Sequence, residues 1–153
     1  MPYLTAFSGN SLAYRPLSQT ALSLTAPPRR LLLVGKDERA IAAVAAHFFS
    51  LGWQVDCALE LEEAEALLSC RSYTTVVTDL SLSGADGPAG LKIISQVRAR
   101  CPRARVFLWT SYYNAQLAAD AREVGGVDGF LHKLHPVADL ARAVCAKTEK
   151  FYA

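Results

Sequence analysis

From Arg30 onward the chain repeats one pattern five times: a short apolar run, then apolar residues recurring at helical spacing. The runs are "LLLV" (31–34), "WQVDC" (53–57), "TTVVT" (74–78), "VFLW" (106–109) and "GFLH" (129–132). After them come Ile41, Val44, Phe48 and Leu51; Leu61, Ala64, Leu67 and Leu68; Leu91, Ile94 and Val97; Leu117, Ala121 and Val124; and Val137, Leu140, Ala141 and Val144. Spacings of three and four place each of these sets on one face of a helix. Gly52 stops the first helix and the "GG" before Val127 the fourth, Pro102 lies beyond the third, and Pro136 suits the first turn of the last. Only the second run alternates apolar and polar residues, as a half-buried strand does; the continuous runs suit strands covered on both faces. Strands of this kind alternating with helices require a parallel sheet with helices on each side, and right-handed crossovers make that sheet open and doubly wound. The expected fold is therefore α/β: a three-layer α/β/α sandwich around a five-stranded parallel sheet of the flavodoxin-like type.

A chain of 153 residues holds one such domain with a full core. The repeats span 30–146. Residues 1–29 differ: they are rich in Ser, Thr and Pro, contain no acid and show no sustained period. They read as an arm or linker, with Tyr3, Phe7 and Tyr14 as candidate docking points, and 147–153 read as a tail. A net charge of +2 argues against nucleic-acid or membrane binding by bulk electrostatics. The apolar stretch "AIAAVAAHFF" is too short to span a bilayer, and no charged leader with an apolar core opens the chain. Cys57, Cys70, Cys101 and Cys145 form no CxxC pair and have no His at zinc-ligand spacing. Free thiols in a reducing, cytoplasmic setting are expected.

Doubly wound sheets place their sites outside the carboxyl ends of the strands. Gly35, Lys36, Asp37 and Glu38 follow strand 1, Asp79 follows strand 3, Thr110 and Ser111 follow strand 4, and Lys133 follows strand 5. A carboxylate can accept a phosphoryl group by nucleophilic attack, and a lysine and a hydroxyl can then hold the new phosphate oxygens. The bland alternative is a static Asp79–Lys133 ion pair. "VGKDE" lacks the Gly-x4-Gly-Lys-Ser/Thr pattern of a phosphate-cradling loop, and "RRLLLVGK" is too short and apolar for a nucleic-acid patch.

The segment "YTTVVTDLSLSGADGPAGLKIISQVR" resembles the phosphoacceptor region of response-regulator receiver domains, the CheY-like superfamily. "VFLWTSY" and "GGVDGFLHKLHP" resemble that family's later signature segments, so the likeness covers about 30 to 146 in order and spacing. It implies a signalling domain and not an enzyme. By the resemblance Asp79 is the phosphoacceptor, Thr110 the switch hydroxyl, Ser111 its small neighbour, Lys133 the phosphate-binding lysine and Phe130 the switch aromatic. Asp79 and the backbone carbonyl of Ser81 would ligate Mg2+. The implied partners are a histidine kinase or another signalling protein, with a homodimer through the helix 4–strand 5–helix 5 face as a further option.

The likeness breaks at strand 1, where the family carries an acidic pair that positions Mg2+. Counting back from Gly52 over the implied length of the first helix lands on Gly35, so Gly35 and Lys36 replace the pair. Asp37 matches a third, peripheral acid, and a one-residue slip would bring it to the second acidic position as a doubtful ligand. Mg2+ demands hard oxygen donors in octahedral array. Exchanging an attraction for a repulsion at ~4 Å, each worth ~4 kcal/mol at an effective dielectric near 20, predicts weak or absent Mg2+ binding. Lys36 is a candidate to occupy the metal's place and pair with Asp79; the alternative has it extended into solvent. Two readings of function stay open: a receiver phosphorylated at Asp79 in a two-component phosphorelay, and a pseudo-receiver that binds partners without phosphorylation.

Smaller features complete the reading. Ser83 replaces the usual proline of the loop after Asp79, and Leu134 stands where the family commonly has a cis bond before proline. A trans peptide is expected there. Trp109 reads as core, Tyr112 and Tyr113 as gating, partner-contacting or packing residues, and His132 and His135 either as part of a pH-sensitive surface or, the favoured reading, as one packed and one solvated.

Overall fold

The structure, a computed structural model, describes residues 28–82, 89–111, 114–146 and 151–152, and for the last two the backbone only. The elements alternate as expected: β1 (Arg30–Val34), α1 (Glu38–Ser50), β2 (Gln54–Ala58), α2 (Leu61–Cys70), β3 (Thr75–Thr78), α3 (Ala89–Arg100), β4 (Arg105–Thr110), α4 (Ala115–Glu123), β5 (Gly129–His132) and α5 (Val137–Cys145). A two-residue strand, β6 (Phe151–Tyr152), lies in the segment read as a tail. All strands run parallel in the order β2-β1-β3-β4-β5-β6. The five expected strands thus have the flavodoxin-like order, and β6 lengthens the sheet by pairing Gly129 with Phe151 and Phe130 with Tyr152.

Alternation along each strand divides the core in two. Leu31, Leu33, Val77, Phe107, Trp109 and Leu131 face α1 and α5, where they meet Ile41, Val44, Phe48, Leu140, Ala141 and Val144. Leu32, Val34, Val76, Val106, Leu108 and Phe130 face the other way, against Ala64, Leu68, Ile93, Ile94, Val97, Leu117 and Ala121 from α2, α3 and α4. Full burial of each such aliphatic or aromatic side chain stabilises the fold by about 1.5–3 kcal/mol.

The helix ends follow local chemistry. Asp37 caps α1 by accepting from the Arg39 and Ala40 amides, and Asn114 caps α4 by accepting from Leu117. Leu51, expected on the buried face of the first helix, is instead 47% exposed. The helix ends at Ser50 and Leu51 becomes its C-cap, with the following Gly52 turning the chain at φ +86°. Val124 is the C-cap of α4, and it still packs, partly buried, against the core as expected. Arg98 ties α3 to the turn before β5, donating to the Ala104 and Gly126 carbonyls at 2.7 and 3.0 Å and pairing with Asp128 at 3.3 Å. The readings made for Tyr3, Phe7, Tyr14, Ser83, Tyr112 and Tyr113 lie outside the described residues. All four cysteines are free, and only Cys101 is buried. No helix among the described residues is long and apolar enough to cross a membrane.

Candidate functional site

Sheet register brings the strand-end residues together. Val34 pairs with Thr78, and the contact continues one step further, with the Asp79 amide donating to the Val34 carbonyl at 2.8 Å. Gly35 and Asp79 are therefore neighbours. Thr78 pairs with Leu108, so the next step sets Asp79 beside Trp109. Trp109 pairs with Leu131, two residues before Lys133. Side chains alternate between faces, so Gly35, Asp79, Trp109 and Lys133 all fall on the α1–α5 side of the sheet. Thr110 falls on the opposite side and is buried.

Asp79 is only 5% exposed. Its Oδ1 accepts the Leu80 amide at 2.7 Å, and its Oδ2 accepts the Lys133 ammonium at 2.5 Å. A carboxylate withdrawn from water this far requires a cation or several donors, and Lys133 supplies both charge and hydrogen bond. The root of Lys133 is fixed by its own amide, which donates to the Thr110 carbonyl at 3.0 Å. The ammonium also stands 5.2 Å from the centre of the Trp109 ring, within cation–π range. Trp109 is core, as expected, but it also touches the pocket's cation.

Gly35 is buried at the β1 end. A Cβ there would lie 3.7 Å from the Asp79 Cβ and 3.2 Å from Ile41 Cδ1. Position 35 is thus the one from which a side chain would meet Asp79, in agreement with the register counted back from Gly52. The expectation that Lys36 occupies a metal's place fails: Lys36 is exposed, and the ion pair on Asp79 comes from Lys133. The chain leaves the sheet at Gly35 to reach the Asp37 cap of α1, which carries the intervening residue outward. Asp37 is exposed too, and its Oδ1 accepts the Arg39 and Ala40 amides at 3.1 and 3.2 Å.

These donors do not fit Mg2+. One buried carboxylate is already paired, Gly35 offers no ligand, and the Asp37 oxygen caps a helix. Among the described residues no group of three His, Cys, Asp or Glu side chains could hold a metal.

Ser81 and Ser111 are exposed near the strand ends. Phe130 is buried, packed within the α2–α4 half of the core. Leu134, just beyond Lys133, is 87% exposed, and no peptide bond of the described residues is cis. His132 is half-buried and its Nδ1 accepts the Leu134 amide at 3.1 Å, whereas His135 is exposed and lies 3.6 Å from Asp139. A cleft of about 300 Å³ lined by Tyr73, Arg100, Cys101 and Arg103 lies at the opposite, amino-terminal edge of the sheet, away from these groups.

Gly90 was not singled out from the sequence. Its amide donates to the Leu80 carbonyl at 2.8 Å, and a Cβ on it would stand 2.3 Å from the Asp79 carbonyl oxygen and 2.8 Å from Leu80 Cα. The first turn of α3 therefore presses on the backbone that carries Asp79. A glycine inside an otherwise helical pattern is the signal that marks such an approach.

No family model matches the chain. Over 121 residues it is 30% identical to the photosynthetic apparatus regulatory protein RegA of Rhodobacter capsulatus, which covers 79% of this chain and 64% of that protein. Across the curated relatives matched, the chain covers between 25% and 64% of their length. Among solved structures, it is similar to a response regulator from Burkholderia pseudomallei determined with a phosphorylated aspartic acid, at 26% identity and a TM-score of 0.68 over 76% of this chain and 66% of that one. A CheY-like response regulator receiver domain from Methanospirillum hungatei JF-1 superposes with a TM-score of 0.68 at 17% identity, over 76% of this chain and 90% of that domain.

Proposed function

We propose that this chain, a response-regulator receiver domain with an altered metal corner, works in two-component signal transduction with Asp79 as the phosphoacceptor. The observation that carries the reading is the buried Asp79 carboxylate at the end of the third strand, held by Lys133 at 2.5 Å. In the proposed step an Asp79 oxygen attacks a phosphohistidine. The P–N bond breaks as the P–O bond forms, and the imidazole leaves with the electron pair. Lys133 then transfers its hydrogen bond to the phosphoryl oxygens, with Thr110 as the switch hydroxyl, Ser111 leaving room beside it and Phe130 as the responding aromatic. A histidine kinase or another signalling protein is the partner, in the cytoplasm. A homodimer through α4, β5 and α5 is one mode of output.

A second reading, a pseudo-receiver that binds its partner without phosphorylation, is favoured by the donor set. The two acids that would position Mg2+ are Gly35 and Lys36, and Asp37 caps a helix.

The two part in one experiment. The protein is incubated with acetyl phosphate or beryllofluoride, with and without Mg2+, and followed by intact mass and NMR. An adduct that disappears in Asp79→Asn establishes the phosphoacceptor. No adduct under any condition rules out the phosphoacceptor reading.

A further inference from the structure

We infer that Trp109 is the positioning residue that holds the Lys133 ammonium against the Asp79 carboxylate, clamping it as the pocket's cation. The inference rests on Asp79 being the centre of a receiver pocket, but not on its being phosphorylated.

Three observations converge. First, the corner that would hold a divalent ion has lost its donors: Gly35 has no side chain and Lys36 is exposed. Among the described residues, the cationic partner of Asp79 is Lys133 Nζ at 2.5 Å. Second, an ammonium on a four-carbon stem is mobile, and the Lys133 side chain is still 22% exposed, enough to swing toward water. Something must favour the inward rotamer. Third, Trp109 is 6% exposed, fixed within the α1–α5 core, and offers its ring 5.2 Å from the ammonium. Indole has the most negative aromatic face among the side chains, and partial desolvation strengthens its hold on a cation.

Sheet register makes the arrangement rigid. Trp109 is the next residue beside Asp79 across β3–β4, and Lys133 is tied at its amide to Thr110, the residue after Trp109. Ring, carboxylate and the root of the lysine therefore stand on three adjacent strands. Where Mg2+ would leave and return, this cation is covalently part of the chain, so the pocket is neutralised whether or not divalent ions are present.

The experiment measures the accessibility of the Lys133 amine by reductive methylation of the full chain. Peptide mass spectrometry gives the ratio of Lys133 to the exposed Lys36, and no phosphodonor is used, so failure of the phosphoacceptor reading leaves this result untouched. Trp109→Leu keeps an apolar side chain but removes the ring, and is expected to raise the ratio about fivefold. Trp109→Phe keeps a ring face and is expected to stay within about twofold of the parent. Equal ratios in both variants, raised or unchanged, overturn the clamp, because then packing alone or nothing at all acts on the lysine. Should Trp109→Leu fail to fold, the emission of Trp109 in a Trp53→Phe background replaces it. A spectrum altered by Lys133→Met and restored by Lys133→Arg supports the clamp, and a spectrum indifferent to Lys133→Met overturns it.

Discussion

Lys133 reaches across β4 to Asp79, 54 residues away in sequence, and places its ammonium 2.5 Å from Oδ2. The two partners are unequally buried, with side chains 22% and 8% exposed respectively. That inequality makes their removal asymmetric. In Lys133→Met the carboxylate is stranded, because a short side chain on a buried strand end cannot reach water. A cost of about 2–4 kcal/mol is expected at neutral pH. In Asp79→Asn the lysine can extend into solvent, so the cost should stay below about 1 kcal/mol. The double variant should recover most of the loss of Lys133→Met. Urea midpoints of the four proteins in one double-mutant cycle test the order; a larger loss in Asp79→Asn than in Lys133→Met would contradict it.

The sheet, its helices and the strand-end residues could be read from the sequence because each depends on a local pattern. Continuous apolar runs for the covered strands, alternation in the second and a period of 3.6 for the helices were enough to bring Asp79, Thr110 and Lys133 to one edge. The direction of single side chains could not be read this way. Lys36 was a candidate for the Asp79 pair, but a residue between a buried Gly35 and a helix cap at Asp37 is carried outward. Leu51 fitted the helical period, yet the helix had already ended at Ser50. The second role of Trp109 depends on contacts between segments distant in sequence, which no period encodes, and for Gly90 the sequence offers only a glycine within a helical pattern, without naming what it approaches. The strand Phe151–Tyr152 carries too few residues to have a period at all.

Gly90 makes a steric prediction. A methyl group at this position would stand 2.3 Å from the Asp79 carbonyl oxygen, and both partners are backbone, so neither can rotate away. Gly90→Ala must push α3 off the segment carrying Asp79. Ordinary overpacking costs about 1–3 kcal/mol, and a clash with main chain belongs at the top of that range, outweighing the helix-propensity gain of alanine, which is about 1 kcal/mol. Thermal or urea unfolding gives the net loss. Amide shifts of Leu80 and Gly90 show whether the displacement is local. A variant as stable as the parent, with unmoved shifts, would refute the close approach.

Tyr73 supplies a pH dependence remote from the pocket. The residue is 4% exposed and its phenol donates to Asp56 Oδ2 at 2.7 Å, while Arg71 holds both oxygens of that carboxylate at 2.9 Å. Burial, then the hydrogen bond to Asp56, raise the phenol's pKa well above its ordinary 10.0. The folded state therefore keeps its proton where the unfolded chain loses it. The resulting stability is fully present below about pH 10 and falls as pH rises toward the folded value, by at most ~1.4 kcal/mol per pH unit. Tyr73→Phe removes this term along with the hydrogen bond. It should be less stable than the parent by about 1–2 kcal/mol at pH 8, with the gap narrowing above pH 10. Urea midpoints of both proteins between pH 8 and 11 test this, and a constant gap would exclude it.

The metal corner yields the prediction that most directly concerns function. If Gly35 and Lys36 alone explain the misfit to Mg2+, the scaffold should accept the ion once oxygen donors return. Geometry favours this at position 35. A Cβ there meets the Asp79 Cβ at 3.7 Å, an ordinary contact, and the tighter 3.2 Å approach is to Ile41 Cδ1, the far end of a side chain that can rotate. The Gly35 amide donates to the Ala58 carbonyl at 3.0 Å, a bond that substitution leaves intact. Gly35→Asp places a carboxylate beside Asp79, and Lys36→Asp, at the outward-facing position, replaces a positive charge by a negative one at longer range. The one attraction gained near 4 Å is worth ~4 kcal/mol at an effective dielectric near 20, and the charge change at the exposed position 36 adds less. Competition from Lys133 opposes part of that gain, so Mg2+ affinity is expected to rise by at least about tenfold, not by the full Coulomb sum. Calorimetric titration of parent and double variant with MgCl2 measures it, with Asp79→Asn in the variant background as the control that should abolish the heat. Equal affinity in parent and variant would mean that something other than these two residues bars the metal, with the Lys133–Asp79 pair then the first suspect.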